Sequence, residues 1–211
     1  DYESVIYAGI TDDMDDLWYG SYYDDPSNPP TVLVTGINMS GDEEYVDIAY
    51  NPAEEKIYVT GYDGAVYSCY QDGTGAAMLV GANAAGPIGV DYDNGKIYWV
   101  RYITGIYSIM SANLNGSGVT MVLDNGGASI ESLDVYPEQN AVYFAQTNGI
   151  YRTPLDGAGG KTLLFTGTYI SNVAIDFDIT PPAFFVLSPT NGATNVSTTA
   201  NLSLTFNENI Q

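Results

Sequence analysis

A tandem repeat runs through most of this chain and constrains its fold more than any other feature. Three copies align, at residues 46–80, 88–123 and 132–165. Each copy reads as an apolar stretch with an Asp, a turn, a Tyr-centred strand, a Gly turn, a second Tyr strand, an Asp-Gly or Asn-Gly turn and an aliphatic strand. The repeated Asp falls at positions 47, 91, 134 and 176, at intervals of 44, 43 and 42. The Gly of the last turn falls at 73, 116 and 157.

A period of roughly 40–45 residues with four short strands in each unit is typical of a β-propeller blade. The units are dense in Tyr, Val and Ile and contain frequent Gly, which favours strands over helical repeats of similar length. A single sheet of this kind has two apolar faces that need neighbouring sheets to cover them. We therefore predict an all-β fold, a β-propeller.

The two ends of the repeat region predict how such a propeller closes. Residues 4–36 match the last three strands of a blade, and "VAIDFD" at 173–178 matches the missing first strand. We predict four blades, one of them a composite of N- and C-terminal strands, because closure removes exposed sheet edges. The alternative is an excised part of a larger ring. Residues 179–211 are rich in Pro, Thr, Asn and Ser, and they read as a linker followed by the first strands of a second β unit, with "NLSLTF" as one strand.

Charge and composition limit the partners and the chemistry. The chain has 26 Asp and Glu against 5 Lys and Arg, a formal net charge of −21. Such a field repels phosphate backbones and anionic membranes, so we expect no nucleic-acid partner. Acidity of this degree fits a secreted protein in a salty or calcium-containing medium, or serves solubility alone. No apolar run approaches the roughly 20 residues of a membrane helix, so no membrane insertion is expected.

The absence of histidine and the single cysteine narrow the possible catalysis further. No His occurs anywhere in the chain, which excludes Ser-His-Asp and Cys-His catalysis and the usual His-containing zinc sites. Cys69 lies in an apolar run, which predicts a buried, unpaired thiol. The Gly-rich stretches 115–118 and 156–160 lack the Lys-Ser/Thr pair and the helix of a phosphate loop, so we interpret them as turns.

Two parts of the chain resemble known families. The stretch "IGVDYDNGKIYWV", followed by "NLNGSG", resembles the YWTD repeat of low-density-lipoprotein receptor class B propellers, and the tetrad stands here as "YWVR" at 98–101. The stretch "KIYVTGYDG" is also similar to the YVTN repeats of prokaryotic surface-layer propellers. The tail from 180 to 211 resembles the start of a bacterial Ig-like domain. Together these resemblances imply part of a large bacterial protein, secreted or located at the cell surface.

The repeated aspartates form the first candidate site. The four residues are Asp47, Asp91, Asp134 and Asp176. If they occupy the same position on equivalent strands, they stand around the central axis, where carboxylates suit Ca²⁺. Alternatively, each carboxylate caps its own turn or accepts from backbone N–H groups of the neighbouring blade. No cofactor is required by the sequence, and Ca²⁺ is the cation that such a ring would take.

The second candidate site is the acidic, aromatic stretch "TDDMDDLWYGSYYDDPSNPP" at 11–30. Its candidate ligand-binding residues are Asp12, Asp13, Asp15, Asp16, Trp18, Tyr22 and Tyr23. Carboxylates beside aromatic platforms suit a carbohydrate or peptide ligand. The alternative is a solvated acidic loop next to a strand whose aromatic residues belong to the core.

These observations favour a non-enzymatic module for adhesion, recognition or assembly, which binds a protein, peptide or glycan. A Ca²⁺-dependent propeller hydrolase or lyase that uses Asp and Tyr is the second hypothesis. The third is a structural subunit of a surface filament, which self-associates by strand exchange through residues 179–211.

Overall fold

The computed structural model of the 211-residue chain describes residues 4–8, 17–21, 31–34, 45–61, 64–81, 84–175, 184–188, 194 and 203–206. The chain divides into two compact units, Asp1–Ile175 and Asp176–Gln211. Within the first unit, each repeat copy folds into one four-stranded antiparallel sheet. The all-β fold predicted from the repeat is therefore confirmed.

The strands of the first unit follow one another in simple order within each sheet. The first sheet comprises β1 (Ser4–Ala8), β2 (Leu17–Ser21) and β3 (Thr31–Val34). The second sheet comprises β4 (Tyr45–Asn51), β5 (Lys56–Gly61), β6 (Ala65–Tyr70) and β7 (Ala77–Gly81). The third comprises β8 (Ala84–Asp91), β9 (Lys96–Ile103), β10 (Ile106–Asn113) and β11 (Thr120–Gly126). The fourth comprises β12 (Ser132–Tyr136), β13 (Ala141–Gln146), β14 (Gly149–Pro154) and β15 (Thr162–Thr166).

The second unit contains one described strand pair. Strand β16 (Phe184–Ser188) pairs antiparallel with β17 (Ser203–Phe206), and the register shifts between Phe184 and Val186. Strand β17 lies within the predicted "NLSLTF" strand. None of the described segments in either unit is a helix long and apolar enough to cross a membrane.

The sheets of the first unit pack through their first strands and their broad faces. Strand β1 lies beside β4, β4 beside β8, and β8 beside β12. One buried cluster joins the second and third sheets and contains Tyr58, Ile97 and Trp99. A second joins the third and fourth sheets and contains Tyr98 and Phe144. Because side chains alternate between the two faces of a strand, the third sheet contributes to both clusters.

The repeated Tyr marks the face that each sheet turns towards the next one along the chain. Tyr58 and Tyr98 are buried, and this burial raises the pKa of each phenol to about 12. Tyr143, the corresponding residue of the fourth sheet, is only partly buried. It alternates with Val142 and Phe144, which pack against the third sheet, so Tyr143 points to the opposite face. The fourth sheet thus exposes the face that the second and third sheets cover.

The predicted closing strand lies mostly outside the described residues, because its residues 176–178 belong to the part that is not described. Residues 173–175 are described and carry no strand assignment. They run beside β12, where the Ser132 hydroxyl contacts Asn172 and Val173 and the Ile175 N–H donates to Asp134. The composite blade, formed by residues 4–36 with 173–178, stays a prediction.

Candidate functional site

The predicted ring of equivalent aspartates needs a correction, because the three described members occupy different positions. Relative to the repeated Tyr of the adjacent strand, Asp47 pairs with the residue two positions after Tyr58, namely Thr60. Asp134 pairs directly with its own sheet's Tyr143. Asp91 pairs with Lys96, two positions before Tyr98. In all three sheets four residues form the turn after the last strand pair, and the aspartates lie at different distances before that turn, so their regular spacing along the chain does not make them equivalent. Asp176 lies outside the described residues.

Asp47 and Asp134 each accept a hydrogen bond from the chain segment that runs beside the first strand of their sheet. The Ile88 N–H of the third sheet donates to Asp47 Oδ2 at 3.0 Å. In the same way, the Ile175 N–H donates to Asp134 Oδ2 at 2.7 Å, and the Val135 N–H donates to Asp134 Oδ1 at 2.8 Å. Each carboxylate therefore satisfies a backbone donor 41 residues ahead in the chain.

The third aspartate caps its own turn. Asp91 is fully buried, and its two carboxylate oxygens accept from the backbone N–H and the side-chain amide of Asn94, each at 2.9 Å. Both alternatives to metal binding, turn capping and contact with the neighbouring blade, are thus present. Among the residues that the structure describes, no group of three His, Cys, Asp or Glu side chains lies close enough to hold a metal ion. A Ca²⁺ role for these carboxylates stays a prediction.

The Gly-containing turns at the end of the second and third repeat copies pack against the preceding sheet. The residue before each Gly accepts a backbone N–H two residues on, in Asp72, Asn115 and Asp156. The interpretation of 115–118 and 156–160 as turns is confirmed. A Cβ at Gly116 would lie 2.5 Å from the Leu79 carbonyl oxygen, and one at Gly157 would collide with the Val122 carbonyl oxygen. These repeated residues therefore serve sheet packing.

The predicted ligand-binding stretch at 11–30 falls largely outside the described residues. Asp12, Asp13, Asp15, Asp16, Tyr22 and Tyr23 are not described, and Trp18 is described only as a backbone position of β2, paired with Tyr7 and Val32. Its ligand-binding role stays a prediction. Cys69 is a buried free thiol, as predicted, and burial raises its pKa to about 11, which makes it unreactive.

The third sheet has an exposed hairpin tip that was not predicted from the sequence. Strands β5 and β13 end three residues after the repeated Tyr, whereas β9 continues for two more residues. The two added pairs are Tyr102 with Tyr107 and Ile103 with Ile106. At roughly 3.3 Å for each residue, the hairpin projects about 7 Å farther than its counterparts. The signal was present, because the second repeat copy is longer than the others between its Tyr strand and its last Gly.

The hairpin tip, defined as residues 102–107, is apolar and open to solvent. Tyr102 is 43% exposed, Ile103 37% and Ile106 44%. The rings of Tyr102 and Tyr107 lie 4.7 Å apart at 42°, which stiffens the pair across the strands. Exposed apolar clusters of this kind are typical of surfaces that bind other proteins.

Comparison with known proteins gives the fold of the first unit. A chain of the nidogen/laminin complex has a TM-score of 0.63 and 16% identity, covering 79% of this chain and 62% of that one. TolB from Acinetobacter baumannii has a TM-score of 0.59 and 17% identity, covering 74% and 39% respectively. The first unit is a β-propeller. At these identities the likeness shows the fold alone, and this chain spans less than two thirds of either structure.

The second unit matches a sequence family. The family model of the bacterial Ig-like domain matches residues 178–211, which agrees with the resemblance seen in the tail. No curated protein matches the sequence.

A third solved structure shares the propeller fold. It is a puromycin-hydrolyzing peptidase of Mycobacterium tuberculosis, with a TM-score of 0.57 and 16% identity, covering 78% of this chain and 28% of that one. The YWTD resemblance of residues 1–178 stays a resemblance.

Proposed function

We propose that this chain is a non-enzymatic recognition module of a larger bacterial protein, secreted or displayed at the cell surface. In this proposal, a propeller of the YWTD type binds a protein partner, and the Ig-like unit joins it to the rest of the protein. The exposed hairpin tip carries the proposal. The Ig-like match supports the surface location, and the lack of histidine together with the buried thiol supports a role without turnover.

The hairpin tip has the chemistry of a protein-binding hot spot. Tyr is enriched in such sites because it offers a large rigid surface with few rotatable bonds. Here the Tyr102–Tyr107 pair and the Ile103–Ile106 pair lie on the two faces of a hairpin anchored in a buried sheet, and Tyr102, Ile103 and Ile106 are exposed. Because the backbone is already ordered by the strand pairing, binding costs little additional conformational entropy.

The test compares binding of three proteins to arrays of purified extracellular-matrix proteins and bacterial surface proteins, by biolayer interferometry. These are the wild type, a tip variant with Tyr102→Ser, Ile103→Ser and Ile106→Ser, and a control with Met78→Ser and Met121→Ser. The two control residues are exposed apolar side chains on other strands. We expect the tip variant to lose about tenfold or more in affinity for the partner found, and the control to bind as the wild type does.

A substrate panel of glycosides, polysaccharides and peptides tests the non-enzymatic part of the proposal. Turnover that disappears in Asp47→Asn or Asp134→Asn would overturn it in favour of the hydrolase or lyase predicted as the second function.

The strand-exchange function is tested separately. A dimer in size-exclusion chromatography that becomes a monomer when residues 179–211 are deleted would favour it.

A further inference from the structure

A polar cavity of about 330 Å³ opens at the end of the fourth sheet opposite to its β13–β14 turn. Residues that line the cavity include Gln139, Asn140, Arg152, Gly159, Gly160 and Thr162. They come from three places: the turn before β13, the strand β14, and the segment that leads into β15. Strand pairing fixes two of them side by side, because Arg152 pairs with Thr162.

Arg152 breaks the pattern of the other sheets at this position. In the second, third and fourth sheets the repeated Tyr pairs with one residue of the following strand. The pairs are Tyr58 with Ser68, Tyr98 with Ser111, and Tyr143 with Arg152. Ser68 and Ser111 are buried between sheets, whereas Arg152 is exposed. A small residue suits a face that another sheet covers, and a guanidinium suits a face that meets a polar ligand.

The guanidinium of Arg152 has no partner among the described residues. There the only ion pair joins Lys56 to Glu54, at 3.3 Å. The other lysines of that part of the chain are engaged with amides, since Lys96 donates to Asn113 and Lys161 donates to Asn125. In a chain with 26 acidic residues, an exposed arginine without a carboxylate partner is an open binding group.

The rest of the cavity supplies hydrogen-bond donors. The Oε1 atom of Gln139 accepts from the Tyr143 hydroxyl at 2.6 Å, so its amide NH₂ group is left for a ligand. Asn140 is held in the left-handed region with φ of 50°, where its N–H donates to the Pro137 carbonyl oxygen at 2.9 Å. The Thr162 hydroxyl and the open backbone at Gly159 complete the wall.

We propose that this cavity binds the carboxylate of an acidic sugar, with Arg152 as the charged contact. A guanidinium binds a carboxylate through two parallel N–H bonds, and the amide and hydroxyl groups around it suit the ring hydroxyls of a uronate. A peptide carboxylate would bring apolar side chains, for which this polar cavity has little lining. The inference extends the recognition role proposed above to a second ligand, at the end of the blade strands opposite to the hairpin tip.

The carboxylate has two possible sources, a free uronate or the acidic stretch Asp12–Asp16 of this chain, and the experiment separates them. D-galacturonate is titrated into ¹⁵N-labelled protein, with neutral D-galactose as the matched probe, and the amide shifts of Asn140, Gly159 and Gly160 are followed. The proteins are the wild type, Arg152→Gln, Arg152→Lys and the control Arg101→Gln. A further protein carries Asn in place of Asp12, Asp13, Asp15 and Asp16.

We expect galacturonate to bind the wild type and the Arg101→Gln control alike, with galactose about tenfold weaker. Arg152→Gln should lose about tenfold or more in affinity, and Arg152→Lys should fall between, because lysine keeps the charge without the fork. Binding that emerges only in the Asp-to-Asn protein identifies the chain's own carboxylates as the occupant. Binding unaffected by Arg152→Gln, or binding absent in every protein, overturns the proposal. The tip variant should bind galacturonate normally, so the two proposals fail separately.

Discussion

At the scale of single residues, the repeat preserves contacts between sheets more than it preserves chemistry. Gly157 has a φ of +74° and packs against the Val122 carbonyl oxygen, so both its backbone conformation and its missing side chain are required. Gly95 has a similar φ of +66°, but open space surrounds the position of its Cβ. A substitution at Gly95 therefore measures the free-energy cost of the left-handed backbone alone, whereas one at Gly157 measures that cost together with the cost of a steric clash.

We predict that Gly157→Ala destabilises the fold more than Gly95→Ala does. Gly95→Ala should cost about 1–2 kcal/mol of unfolding free energy, the cost of a left-handed non-Gly residue. Gly157→Ala should cost about 1–3 kcal/mol more, because the added methyl group collides with backbone. Urea denaturation followed by tryptophan fluorescence measures both, and equal losses would contradict the packing role.

The carboxyl of Asp47 gives a prediction on pH. Burial raises its pKa above the usual 3.8, against the N–H groups of Ile88 and Ile48, which lower it, and the charge of Asp134 adds to the rise. A carboxyl with a raised pKa in the folded state contributes stability below pH 3.8, and this contribution is lost as the pH rises through the folded pKa. The unfolding free energy of the wild type minus that of Asp47→Asn should therefore fall as the pH rises above 3.8.

Asp72 is the matched control, because its shift has the opposite sign. The hydroxyl and the N–H of Thr74 donate to this exposed carboxylate and lower its pKa. Its contribution is present above pH 3.8 and is lost as the pH falls through the folded pKa. The difference between the wild type and Asp72→Asn should rise with pH. Slopes of the same sign for both variants would show that the burial of Asp47 does not govern its titration.

At the scale of elements, the β9–β10 hairpin carries strain in its two-residue turn. Thr104 has a φ of 48° and Gly105 a φ of 86°, and Ile103 pairs with Ile106 across them. Two consecutive residues with positive φ are what a type I′ turn requires, and Asn-Gly is its preferred sequence. A β-branched Thr in this conformation is unfavourable.

We predict that Thr104→Asn stabilises the protein by about 0.5–1 kcal/mol, by relieving that strain. The control is Thr120→Asn in the extended strand β11, where Asn replaces a favoured β-branched residue and should cost stability. Thermal unfolding measures both variants. A loss of stability in Thr104→Asn would contradict the turn assignment. Because the substitution leaves Tyr102 and Ile106 in place, partner binding should be unchanged.

At the scale of the whole molecule, the net charge of −21 dominates the response to salt. Self-repulsion between carboxylates destabilises the compact state, and counter-ions screen it over about 10 Å at 0.1 M ionic strength. We predict that the unfolding midpoint rises between 10 mM and 500 mM NaCl. A midpoint that is constant or falls with salt would contradict this. A specific calcium site would show as a larger rise with CaCl₂ than with MgCl₂ at equal ionic strength.

The sequence by itself determined the repeating unit and its turns. Strand alternation and the Asp-Gly and Asn-Gly turns are local, so they could be read residue by residue, as the turns at Gly116 and Gly157 show. The burial of Cys69 could be read in the same way from its apolar neighbours.

Only the tertiary structure decided what the repeated positions do. Asp47 and Asp91 have different strand positions despite their regular spacing, because Asp91 pairs at the end of its hairpin whereas Asp47 pairs four residues farther from the turn. The same holds for Arg152. Its sequence neighbourhood resembles that of Ser68, and only the packing of whole sheets leaves its face open while that of Ser68 is buried.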